Sequence, residues 1–264
     1  GTMGIEKTTK RVVNCLPLNE GERRAFAKAA RDVPQEFVGD EAHRGDMVWS
    51  AAVPEELRSR ATAVIGNFPV SQASQYTRLE WLQTFSAGVD AYICPGVLPR
   101  GTMVTNASGA YGQSVSEHMF ATMWALMKNL NRYASNQRDH QWQDEGPVLS
   151  PEGGIALIIG VGDIGSHFAQ LAQSVGMRTF GVRRHADVPA KGIEKMYGFE
   201  RLETLLPLAA VVAMAVPRSP QPPHLLNADR LGRTQSTAIV ITARRGDAID
   251  HNALVAALHH ARLH

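Results

Sequence analysis

The chain has 264 residues, 44% of them apolar, and a formal net charge of +2. That suffices for one large core or two moderate ones, and leaves no electrostatic case for nucleic acid or a membrane surface as partner. Two cysteines, Cys15 and Cys94, make neither a disulfide framework nor a metal-ligand spacing, so no metal is expected. No run reaches the 18 or so apolar residues of a membrane span and no secretory leader is visible, which points to a cytoplasmic protein with reduced thiols.

In chain order, residues 11–16 read as a strand, 19–31 as a helix, 35–38 as a short strand, 55–60 as a helix, and 63–65 and 79–84 as strands. A single long helix is expected from Tyr111 or Ser114 to Tyr133. Val115, Met119, Thr122, Met123, Leu126 and Leu130 recur there at helical spacing. Its methionines suit a core or a subunit interface better than a cofactor contact. Phe120, Trp124 and Met127 make the helix apolar on more than one side, which predicts burial on more than one side and a homodimer through this helix. Polar residues over 135–146 mark a transition. Beyond Gly153, residues 155–159 form a strand, 166–175 a helix, 178–182 a strand and 202–206 a helix. Strands at 210–216 and 238–242 and a helix at 251–259 follow.

The strand at 155–159 breaks into Gly160-Val161-Gly162-Asp163-Ile164-Gly165 and then into a helix. Gly160 allows a tight turn, Gly162 lets a pyrophosphate approach the backbone, and Gly165 lets the helix pack on the strand. The helix start, with Asp163 and Ile164, offers free N–H groups and a positive dipole end to phosphate. With a second strand at the spacing of a βαβ unit, this predicts a dinucleotide site in a Rossmann-type doubly wound parallel sheet. An NAD site usually carries Asp or Glu about 20 residues on, to hold the ribose 2′-hydroxyl. Here the second strand ends in Arg183-Arg184-His185, with no carboxylate before Asp187. Paired guanidiniums suit a 2′-phosphate, so NADP is the expected cofactor, with NAD as the alternative.

Four blocks in order resemble the D-isomer-specific 2-hydroxyacid dehydrogenases: Trp81-Leu82-Gln83-Thr84-Phe85-Ser86-Ala87-Gly88-Val89-Asp90; Thr105-Asn106-Ala107-Ser108-Gly109-Ala110-Tyr111-Gly112 running to Ser116-Glu117-His118; the glycine fingerprint; and Ile241-Thr242-Ala243-Arg244-Arg245-Gly246. The arginines after the second strand make the branch of NADP-preferring glyoxylate or hydroxypyruvate reductases look nearest. The resemblance implies a smaller flavodoxin-like α/β substrate domain over residues 1–106. It implies a nucleotide-binding domain over 107–264 that includes the connecting, dimerising helix. It also implies hydride transfer between the nicotinamide and a small 2-oxo or 2-hydroxy acid. Ala87, Gly88 and Val89 then hold the substrate carboxylate, and a glycine loop at a strand end can indeed present converging N–H groups to an anion. Arg245 binds substrate and stabilises developing negative charge. Pro217, Thr242 and Ala243 line the cofactor.

The chain departs from the family in two ways. Arg244 stands where the family has a small residue. The family's acid histidine and the glutamate that holds it protonated lie downstream of the Arg-Gly block, and His259, His260 and His264 do not match that histidine. His118 reads as structural. The sequence therefore looks truncated at its C-terminus, with slow turnover expected as it stands. A catalytically impaired fragment or a non-catalytic NADP-binding protein on the same scaffold is the alternative reading.

Overall fold

The computed structural model describes residues 9–46, 49–216, 224–243 and 248–259. The chain forms two compact units, Gly1–Ala110 and Tyr111–His264, where the sequence suggests a division after residue 106.

In the first unit, β1 (Val12–Asn14), β2 (Gln35–Phe37), β3 (Ala63–Ile65), β4 (Trp81–Gln83) and β5 (Met103–Thr105) form one parallel sheet in the order β2-β1-β3-β4-β5. This is the flavodoxin-like order. Helix α1 (Glu20–Ala30) starts with a reciprocal cap: the Asn19 side chain accepts from the Glu22 N–H, and the Glu22 carboxylate accepts from the Asn19 N–H. α2 (Glu55–Arg58) is a single turn. Val13, Val64 and Leu82, at the middle of the three central strands, have no exposed surface. Below them Phe68 stacks on Tyr76 with ring centroids 4.1 Å apart, and Tyr92 meets Phe68 edge-on. β5 was not apparent from the pattern: it has three residues and an exposed Met103, so it lacks an apolar run to announce it.

The second unit begins with α3 (Gly112–Met127) and α4 (Leu130–Arg138), where one continuous helix is expected. The break is at Asn129, which adopts φ +53°. Its side-chain amide donates to the carbonyls of Glu145 and Pro147, while the Lys128 ammonium donates to the Leu149 carbonyl at 2.6 Å. Contacts from a segment about 20 residues downstream thus outweigh local helical periodicity, and Asn tolerates the left-handed conformation better than most residues. The methionine stripe of α3 (Met119, Met123, Met127) is buried within this chain, packed with Phe168, Ala169 and Ala172 of α5 (Asp163–Ser174). Phe120 and Trp124 add an edge-to-face pair beside it.

β6 (Ile155–Ile159), β7 (Arg178–Val182), β8 (Lys195–Tyr197), β9 (Val211–Met214) and β10 (Ile239–Thr242) form a second parallel sheet in the order β10-β9-β6-β7-β8. The order reverses beside β6, as in the doubly wound dinucleotide-binding fold. Ala156 to Ile159 are fully buried, as expected of a strand covered on both faces. α6 (Leu202–Leu205), α7 (Ala228–Gly232) and α8 (His251–His259) complete the elements, with Leu202, Leu205, Leu231 and Ala257 packed in one core with Leu157, Ile159 and Val212. β8 and α7 are short and carry no sustained period, so the sequence does not reveal them.

Candidate functional site

β6 runs directly into Gly160, whose φ is +93° and where a Cβ would stand 2.5 Å from the Val216 amide nitrogen. Only glycine satisfies both demands. Gly162 is the N-cap of α5 and contributes no capping side chain. The N–H groups of Asp163, Ile164 and Gly165 have no partner among the described residues; the first bond of the helix runs from the Ser166 N–H to the Gly162 carbonyl, 3.0 Å. A Cβ on Gly162 would meet nothing within 4 Å, so the space beside the start of the helix is open at that residue. A Cβ on Gly165 would instead lie 2.0 Å from the Gly160 carbonyl oxygen. Free donors at the positive end of a helix, with room beside them, fit a dinucleotide pyrophosphate.

The Asp163 side chain reaches α3. It occupies the place where a Cβ on Gly112 would sit, 2.3 Å from the carboxyl carbon, so it lies against the first turn of α3. A carboxylate is favoured at a helix N-terminus, and Gly112 is the residue that admits it. His167 Nδ1 lies 2.8 Å from the Asp163 carbonyl and 3.3 Å from its carboxylate. This link between fingerprint and α3 was not legible in the sequence, although a glycine opening a 16-residue helix is a cue that something approaches closely.

At the end of β7 the two arginines differ. The Arg183 guanidinium donates to four backbone carbonyls: Val161 at 3.3 Å, His185 at 3.0 Å, Val188, and Pro189 at 3.4 Å. Arg184 is exposed and has no hydrogen bond or ion pair among the described residues. Gly181, two residues earlier, makes room for the fingerprint: a Cβ there would be 2.8 Å from both the Met196 sulfur and a Val161 methyl. At the carboxyl ends of β9 and β10 the Ala243 N–H donates to the Met214 carbonyl at 3.0 Å, and Thr242 and Ala243 are exposed. Pro217, Arg244 and Arg245 lie outside the described residues.

In the first unit, the loop after β4 is braced through its carbonyls and by Asn67, which donates to the Ser86 hydroxyl and accepts from the Phe85 N–H, each at 3.2 Å. The Ser86 carbonyl accepts from the Thr84 hydroxyl (2.8 Å) and the Ala107 N–H (3.1 Å). The Ala87 carbonyl accepts from the Asn106 side-chain amide, and the Gly88 carbonyl from the Ser86 hydroxyl, each at 2.8 Å. The Val89 carbonyl accepts from the Tyr92 N–H, and Tyr92 anchors the far end by donating its hydroxyl to the Phe68 carbonyl at 2.6 Å. The N–H groups of Ala87, Gly88 and Val89 have no partner among the described residues. Tied carbonyls beside free N–H groups leave backbone donors available to an anion. Sequence reasoning does not mark Asn106 as functional, because β5, which positions it, is not visible in the pattern; the available cue is an Asn two residues before a Ser, from whose N–H its side chain accepts in a local turn.

Next to this loop, Phe85 stacks on Trp49 with centroids 5.6 Å apart, and Trp49 on His43 at 6.2 Å. The His43 imidazole is bonded to Asp46 at 2.7 Å, which raises its pKa above the ordinary histidine value. Burial pushes the Cys15 thiol up to about 12, so it is chemically inert. His118 is exposed on α3. Among the described residues no group of His, Cys, Asp or Glu could hold a metal ion, and no helix is long and apolar enough to cross a membrane.

Comparison with known proteins agrees with this geometry. The family model described as the NAD binding domain of D-isomer specific 2-hydroxyacid dehydrogenase matches residues 120–264. A glycerate dehydrogenase of Methylorubrum extorquens is 26% identical over 215 residues, covering 78% of this chain and 66% of the relative. A glyoxylate reductase of Pyrococcus horikoshii is 28% identical over 191 residues, covering 69% of this chain and 56% of the relative. The chain thus spans between half and two thirds of the length of these two relatives. A crystal structure of a D-isomer specific 2-hydroxyacid dehydrogenase family protein from Aeromonas salmonicida superposes with a TM-score of 0.80 at 25% identity, over 97% of this chain and 79% of that one. With two parallel α/β sheets, a glycine fingerprint at the switch point of the second and the family model matched over more than half its length, the chain belongs to the D-isomer-specific 2-hydroxyacid dehydrogenases.

Proposed function

We propose that the protein serves an NADP(H)-dependent reductase of small 2-oxo acids such as glyoxylate or hydroxypyruvate. The observation that carries this reading is the Ser86–Val89 loop, with its carbonyls bonded and three N–H groups free. Those donors take the carboxylate of the 2-oxo acid and orient the carbonyl carbon beside it. Arg245 contributes a fixed cation to the carboxylate and to the carbonyl oxygen, where negative charge grows during reduction. The α5 N–H groups and Gly162 seat the pyrophosphate, Pro217, Thr242 and Ala243 contribute to the cofactor site, and the bound nicotinamide supplies the hydride. The arginines after β7 favour a 2′-phosphate. We further infer a homodimer. It is supported by α4, which buries no residue, and by the exposed Leu130, Tyr133 and Trp142 on and after it. A cytoplasmic location is part of the same proposal.

The test uses oxamate, a non-reducible analogue of a 2-oxo acid, titrated into the protein with NADPH present. Oxamate is expected to bind, and Arg245→Ala to weaken it about ten- to hundredfold, the value of one charge-assisted contact. Absence of oxamate binding, or indifference to Arg245→Ala, overturns the reading. Reduction also needs a proton on the new hydroxyl oxygen, to which no residue is assigned, so NADPH oxidation with glyoxylate, hydroxypyruvate and pyruvate ranks the substrates at the slow turnover expected of this chain.

A further inference from the structure

We propose that the two arginines after β7 have separate tasks: Arg183 is a positioning residue that ties the fingerprint to the ribose loop, and Arg184 alone reads the 2′-phosphate. The inference rests on the NADP(H) reading above and assigns roles within it. A guanidinium has five N–H donors. Arg183 directs them at four carbonyls on two segments: Val161 in the glycine fingerprint, and His185, Val188 and Pro189 in the loop after β7. A bidentate clamp on phosphate needs two parallel donors, and Arg183 does not keep such a pair. Its backbone is held as well, since its N–H donates to the Tyr197 carbonyl at 3.1 Å and continues the β7–β8 ladder. Rotating the side chain outward would strip the donor from Val161 and from three carbonyls of the loop together. Arg184 carries no such obligation. It is exposed, adjacent in sequence and without a polar partner among the described residues. The loop that Arg183 shapes is the loop that presents Arg184.

The experiment measures affinity for NADPH and NADH on the parent protein and on Arg184→Ala, Arg184→Lys, Arg183→Ala and Arg183→Lys. Thermal melting of each variant checks folding. Arg184→Ala is expected to weaken NADPH roughly ten- to hundredfold and NADH by less than about twofold. Arg184→Lys keeps much of the preference, because an ammonium still binds phosphate as a point charge. Arg183→Ala is expected to weaken both cofactors by the same factor and leave their ratio unchanged. Arg183→Lys does not rescue it, because one ammonium cannot span carbonyls on two segments. Loss of the ratio in Arg183→Ala with NADH affinity intact overturns the assignment, as does an unchanged ratio in Arg184→Ala. A parent that binds both cofactors equally overturns the NADP(H) reading and with it the task given to Arg184; the NADH arm still decides Arg183, whose role falls if Arg183→Ala leaves NADH affinity unaltered. Should the Arg183 variants fail to fold, side-chain NMR of the parent titrated with 2′,5′-ADP decides. Shifts at the Arg184 guanidinium with Arg183 undisturbed support the division, and the reverse overturns it.

Discussion

Gly162 and Gly165 belong to one motif but are required for different reasons, and replacing each by alanine separates them. At Gly165 the added Cβ would lie 2.0 Å from the Gly160 carbonyl oxygen and 3.1 Å from an Ile158 methyl. Ordinary contact begins at 3.4 Å, so α5 must retreat by about 1.4 Å from the strand it packs on. Overpacking of this kind costs about 1–3 kcal/mol, partly offset by up to about 1 kcal/mol from the better helix propensity of alanine. A net loss of about 1–2 kcal/mol lowers the melting temperature of a unit this size by roughly 3–8 °C. The same retreat moves the N–H donors at the helix start by more than an ångström, so nucleotide affinity falls too, by about tenfold or more. At Gly162 the added Cβ meets nothing within 4 Å, and φ is −100°, outside the left-handed region. Alanine there clashes with nothing but caps a helix less well than glycine, which offsets the freedom the unfolded chain loses, so stability changes by no more than about 1 kcal/mol. The methyl projects into the open space at the helix start, so affinity drops by more than stability does. NADPH titration by fluorescence and a thermal melt on the same samples read both quantities. A Gly162→Ala protein that melts as early as Gly165→Ala, or a Gly165→Ala protein that matches the parent in both, would refute the reasoning.

Two further outcomes are expected. The bond to Asp46 raises the His43 pKa above 6.5, so the stability it contributes is complete below pH 6.5 and is lost as pH rises through the elevated folded value. Asp40 is the other carboxylate acting on this imidazole. The melting-temperature difference between the parent and Asp46→Asn should therefore be larger at pH 5.5 than at pH 9, and a difference independent of pH would remove His43 as its source. For assembly, light scattering at micromolar concentration should give a dimer mass for the parent and a monomer mass for Trp142→Glu, since Trp142 is fully exposed in the single chain; a parent that is already monomeric would remove the inferred interface.

The pattern of residues determined most of the architecture. β3, β7 and α8 have the bounds expected of them, and β6 with its glycine turn announces the second sheet, because burial on both faces leaves an uninterrupted apolar run that local reading detects. The geometry of the fingerprint was equally legible, since Gly160 answers a local need for a turn and Gly165 one for close approach. What the sequence could not supply were the elements and roles created by partners distant along the chain. β5 and β8 are edge strands of three residues whose identity comes from the strands beside them. The long helix divides at Asn129 because a returning segment offers carbonyls to Asn129 and Lys128. The free N–H groups of Ala87 to Val89 depend on Asn106, nearly 20 residues away, holding a carbonyl of their loop. Two adjacent arginines that look alike in sequence are distinguished only by where backbone carbonyls converge in space, because a guanidinium spent on four acceptors and one left exposed have the same composition and different chemistry.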